Sequence, residues 1–167
     1  VELSKAVDTY SSVTLENIKS GQNFDKQIET IARRILDKIL IYFINDTFTP
    51  PTIILKEAEG NHSIVLNDFL TEINEIKLWK SKDFVLEDDK QQKIDFVAKV
   101  FTIYYPGNQK SKVSLAGHNR EVTDTPLHKY IPEFEDEFFE EDENKVKRNY
   151  IIKTYILGDY LDNNVSL

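Results

Sequence analysis

The stretch DKQIETIARRILDKILIYFI, residues 25 to 44, places Ile28, Ile31, Ala32, Ile35, Leu36, Ile39, Leu40 and Phe43 at i, i+3, i+4, i+7 spacing. A stripe that broad makes a helix that has to bury one whole side. Lys26, Glu29, Arg33, Arg34, Asp37 and Lys38 fall opposite and are expected to be wet. Ser20, Gly21 and Gln22 punctuate the chain before it, Asn23 or Asp25 can cap its start, and the prolines within Asp46 to Pro51 end it. The surface it covers is expected to be a sheet. KIDFVAKVFTIYY is the clearest strand, rich in β-branched and aromatic residues.

Smaller elements fill the space between. TIILKE and SIVL flank an EGN turn and read as a β-hairpin, and Asn67 is a cap candidate for a helical turn through DFLTEI. EIKLW and DFVLED read as two further strands, with Trp79 as a half-buried anchor. The long strand stops at PGNQ and is expected to return as KSKVSLAG in a long antiparallel hairpin. A short helix is expected over TPLHKYI, with Pro126 in its first turn, and NYIIKTYILGDYL restores strand character. This order predicts an α+β fold: a mixed, mainly antiparallel sheet with a long hairpin, packed against one long amphipathic helix and short helices.

Between Glu133 and Glu143 lie eight carboxylates and three phenylalanines. Clustered like charges stay solvated, so residues 133–147 are read as an acidic insertion, with Phe134, Phe138 and Phe139 able to dock one helical face. Lysine and arginine total 21 against 29 acidic residues, a net charge of −8 that disfavours a general nucleic-acid groove unless a local patch overcomes it. The absence of cysteine excludes thiolate chemistry and cysteine-held metals. His62, His118 and His128 have no metal-ligand spacing, so no metal site is expected. With five scattered glycines there is neither a Gly-x-x-x-x-Gly-Lys loop nor a Gly-x-Gly-x-x-Gly turn. No apolar run approaches bilayer length and no leader opens the chain, so a cytoplasmic, membrane-free protein is expected. Val1 is not a natural start, and the chain is read as a piece of a longer protein.

Three ordered segments resemble the GHKL ATPases, the superfamily of gyrase, MutL, histidine kinases and the ninety-kilodalton heat-shock chaperones. QIETIARRILDKILIYFI followed by PPTIIL is similar to the helix and strand after the nucleotide domain. VSLAGHNREV is similar to the strand and Asn-Arg tip of MutL-like members, and YIIKTYILGDYLDNNV to a later transducer strand and its exit loop. The resemblance implies residues 1–10 as the tail of a preceding ATPase domain and 11–167 as a transducer that relays ATP binding and hydrolysis to distal domains. It implies no catalytic residue and no cofactor in this piece. ATP and Mg2+ belong to the parent, with the ATPase domain acting in cis and a possible homodimer. Asn119 and Arg120 match the tip motif and are the contact candidates.

On the residues themselves, Gly117 permits a tight turn and Asn119 tolerates left-handed backbone, which frees Arg120 for a carboxylate or a stacking partner. An alternative is a stand-alone acidic interaction domain that docks a basic partner through Glu140, Glu141 and Asp142. A small hydrolase with Asp95 or Glu121 as base ranks last, because nothing converges on either.

Overall fold

A computed structural model describes residues 27–44, 49–57 and 61–164. The expectations for residues 1–26, the helix stop at Asp46, most of the EGN turn and the chain end from Val165 lie outside these residues.

Helix α1 spans Ile28–Ile44, as its stripe predicts. Its buried row is Ile28, Ala32, Leu36, Leu40 and Ile44, with Ile41 beside it, so the covered side is narrower than the full apolar set. Ile31 is exposed, while Ile35, Ile39 and Phe43 are only partly covered. Spacing by four keeps one line of side chains directly over the sheet. Ala32, Leu36, Leu40 and Ile44 of that line belong to one core cluster with Phe101, Ile103, Ala116, Ile151 and Tyr155.

Strands β1 (Ile54–Lys56) and β2 (Ser63–Val65) form the expected antiparallel hairpin. A 3-10 turn follows over Leu66–Phe69, but Asn67 does not cap it. Its side chain instead accepts the Ile53 N–H at 3.0 Å and donates to the Pro51 carbonyl at 3.2 Å, pinning the entry to β1.

The main sheet holds β3 (Ile76–Glu87), β4 (Lys93–Tyr104), β5 (Lys112–Gly117), β6 (Arg120–Glu121), β7 (Thr125–Pro126), β8 (Phe138–Glu141) and β9 (Lys147–Leu157). Its order is β3-β4-β9-β5-β6, with β7 on β5 and β8 on β9. The fold is therefore α+β with a mixed, mostly antiparallel sheet, as expected.

Three expectations are corrected by this topology. EIKLW and DFVLED form one strand, β3, whose register slips between Leu78 and Lys80. That bulge carries Trp79 out of the alternation, and it is 69% exposed instead of half-buried. The long hairpin joins β3 to β4, not β4 to β5. Strand β5 lies one place further out, in parallel with β9 from Lys112↔Lys153 to Leu115↔Ile156. The alternation in KSKVSLAG reports which side chains share a face but carries no information on which strand is the neighbour.

Glu133, Glu135, Asp136, Glu141 and Glu143 of the acidic segment are exposed, but the segment carries a strand of the main sheet. A 3-10 turn over Pro132–Phe134 leads into β8, which pairs with β9 from Phe138↔Tyr150 to Glu141↔Lys147. Phe138 stacks on Tyr150 with centroids 5.5 Å apart, and Phe134 meets Phe138 edge-on. The phenylalanines thus add a strand rather than a helical face. TPLHKYI yields only a 3-10 turn, Leu127–Lys129, because Thr125 and Pro126 are spent pairing with β5. Helix α2, Asp159–Asn164, closes the described chain where an exit loop was expected.

Candidate functional site

Strand β5 turns into β6 through His118 and Asn119 alone, with Gly117 paired to Arg120. His118 at φ 49° and Asn119 at φ 57° are both left-handed, the pattern of a tight two-residue hairpin loop. The sequence reading holds for Asn119, while His118, not Gly117, takes the other left-handed position. The tip is fixed from α2 by the Asp162 carboxylate, which accepts the His118 backbone N–H at 2.6 Å. Arg120 is exposed and makes no ion pair among the described residues. Together with Lys38, Tyr42, Asn119, Thr123 and Asp124 it lines an open groove of about 340 Å3 between α1 and the hairpin.

Beneath the groove lies an arrangement that sequence reasoning missed. The parallel register sets Lys112 directly beside Lys153, a repulsive placement by itself. Glu121 lies between the two ammoniums, its Oε1 2.6 Å from Lys112 Nζ and its Oε2 3.3 Å from Lys153 Nζ. Asp37 of α1 closes one end, with Oδ1 2.7 Å from Lys153 Nζ and its carbonyl accepting at 3.1 Å. Asp124 closes the other, 2.9 Å from Lys112 Nζ. The Lys153 side chain is 0% exposed. Asp37 is therefore not on a wet face: it is the point at which α1 is tied to the sheet.

Electrostatics follow from this geometry. Burial by itself would raise the Glu121 pKa, but the hydrogen bond from Lys112 and the charges of Lys153 and Lys112 hold it below the usual carboxylate value. Burial would likewise lower Lys112, yet its bonds to Glu121 and Asp124 hold it above the ordinary lysine value. Burial pushes the Tyr155 hydroxyl upward, with Glu121 and Asp37 adding to the effect. A carboxylate saturated by two ammoniums and kept ionised is a poor proton acceptor, which argues against Glu121 as a base. Asp95, the other base candidate, is exposed on β4.

Sign and size give a pH prediction for Glu121. Its folded pKa is depressed, so its stabilisation is complete above the unfolded value near ~4.3 and is lost as pH falls through the folded value. Glu121→Gln should cost about 2–4 kcal/mol at pH 7, measured by urea unfolding, because it leaves a buried lysine undercompensated. The gap between the two proteins should stay constant above about pH 5 and close below about pH 4. A gap independent of pH would show that ion pairing at Glu121 is not its source.

The acidic docking candidates lie across the sheet, away from the hairpin tip. Glu140 accepts the Tyr104 hydroxyl at 2.6 Å and Arg148 Nη2 at 2.7 Å. The Tyr104 bond and then Arg148 lower its pKa, while burial and Glu140 push Tyr104 up to about 12. Asp142 accepts the backbone N–H groups of Asn144 and Val146, both at 2.9 Å, and so fixes the β8–β9 turn. Glu141 is exposed, paired through its backbone with Lys147. Two of the three carboxylates are thus engaged within the chain. No group of metal-ligating side chains occurs among the described residues.

Among family models, curated proteins and solved structures, none matches this chain. No helix among the described residues is long and apolar enough to cross a membrane.

Proposed function

We propose that the chain is the transducer domain of a GHKL-type ATPase, relaying ATP binding and hydrolysis to distal parts without a catalytic centre of its own. The observation that carries this reading is the charge chain Asp37–Lys153–Glu121–Lys112, which joins α1, β9, β6 and β5 just below the Asn119–Arg120 tip. Close-packed interiors transmit displacement instead of absorbing it, and an ionic link across four elements has few alternative arrangements. A push on the tip would therefore be felt at Asp37 on the helix. In this reading ATP and Mg2+ are held by an ATPase domain in cis, the intact protein closes as a homodimer, and the setting is cytoplasmic.

The test compares the 167-residue chain with the intact protein. Calorimetric titration of the chain alone with Mg·ATP should show no binding, and the intact protein should hydrolyse ATP. Arg120→Ala in the intact protein should lower turnover while leaving ATP affinity in place. An intact protein without ATP turnover, or tight nucleotide binding by the isolated chain, would sink the proposal.

A further inference from the structure

The sheet has a second face, opposite α1. Cross-strand partners share a face, so the register places Lys77 with Thr102 and Ile152, Lys80 with Val100 and Thr154, and Lys82 with Ala98 and Ile156. Arg148, paired with Glu140, continues the same face onto β8. Lys77, Lys80, Lys82 and Arg148 thus face outward together. On these strands the single carboxylate sharing the face is Glu140, already bound to Arg148 and Tyr104. In a chain of net charge −8, four cations thus share one face of the described strands with a single carboxylate.

One exposed ring, Trp79, accompanies the charge, above a largely covered cluster of rings. Lys77, Trp79, Thr102, Tyr104, Tyr150 and Ile152 are among the residues lining an open groove of about 320 Å3, at the lower end of the ~300–1,000 Å3 usual for small-ligand sites. Trp79 projects from the bulge with 69% of its surface free. Below it Tyr104, Tyr150 and Phe138 form one contiguous ring cluster, with the Arg148 guanidinium 4.3 Å from the Tyr104 centroid. Lysines on an edge strand also deter edge-to-edge pairing. That role accounts for Lys80 and Lys82 but gives no reason for an exposed indole beside an aromatic floor.

We infer that this face binds single-stranded nucleic acid, a base stacking on Trp79 while Lys77, Lys80 and Lys82 track the phosphates. Stacking on an exposed ring needs an unpaired base, and a row of cations along one strand follows a flexible backbone better than a rigid duplex. The inference is independent of the transducer reading.

Trp79 is the only tryptophan, so its fluorescence reports directly on the site. The 167-residue chain would be titrated at about 50 mM salt with an oligo-dT strand, its duplex with oligo-dA, and a poly-glutamate peptide of similar charge. The single strand should quench Trp79 saturably and bind at least about tenfold tighter than either competitor. Its affinity should fall with salt at a log–log slope of roughly −2, as expected for three phosphates at about −0.7 each. Lys80→Glu with Lys82→Glu, both exposed positions, should weaken binding about tenfold or more, read by anisotropy of the labelled strand, with unchanged circular dichroism. Trp79→Ala should also weaken it about tenfold. No saturable binding, equal binding by the duplex or poly-glutamate, or an unaffected lysine variant would overturn the inference.

Discussion

Lys153→Met should lower the unfolding free energy by about 3–5 kcal/mol, the largest loss expected from any single charged residue in the chain. Methionine fills nearly the same volume, so the loss reports charge, not a cavity. Lys153 is wholly buried, and removing it leaves Asp37 and Glu121, both mostly shielded from water, without their shared cation. An unpaired buried charge is more costly than an absent pair. Adding Asp37→Asn to Lys153→Met should therefore recover part of the loss, and the double-mutant cycle should give a coupling of about 1–3 kcal/mol. Urea unfolding at pH 7 measures both quantities. A Lys153→Met protein within about 1 kcal/mol of the parent, or strictly additive losses, would show that the ammonium does not tie α1 to the sheet.

Leu40→Ala should cost about 2–5 kcal/mol, the range for truncating a leucine in a core that relaxes only partly. Leu40 is 0% exposed and shares one buried cluster with Phe101, Ile103 and Ile151 of the sheet. Ile31→Ala, on the exposed flank of the same helix, should cost less than about 1 kcal/mol. A denaturant midpoint that shifts at constant slope identifies the change as a loss of stability, not of compactness. Equal costs at the two positions would mean that α1 does not rest on the sheet along the Leu36–Leu40 line.

The helix and strand β4 were legible because their signals are local. The α1 stripe and the β-branched run of β4 need only periodicity, and the left-handed Asn119 at the hairpin tip needs only a residue type that tolerates that backbone. What stayed hidden depends on partners far away in the chain. Asp37 looks wet on a helical wheel, and only the position of Lys153, more than a hundred residues later, draws it inward. A signal was present: Lys153 interrupts the buried alternation Ile151, Lys153, Tyr155, and a lysine there demands a carboxylate. Glu121 gave no such signal, because its place between two lysines arises from a parallel pairing that alternation does not encode. The acidic segment misled for the opposite reason. Eight carboxylates suggested a loop, but charge density does not say which backbone pairs, and β8 joins β9 with Phe138 stacked on Tyr150 while most of the carboxylates stay exposed.

The central position of β9 has a consequence for how the molecule is assembled. The β3–β4 ribbon and the β5–β6 tip can each close early from neighbouring residues, but the slot between them waits for a segment made after both. Until residues from Lys147 onward arrive, two half-sheets expose raw edges and Lys112 has no parallel neighbour. Such a chain should fold late and all at once, and a ribosome-bound product halted before β9 should be the species most in need of a chaperone.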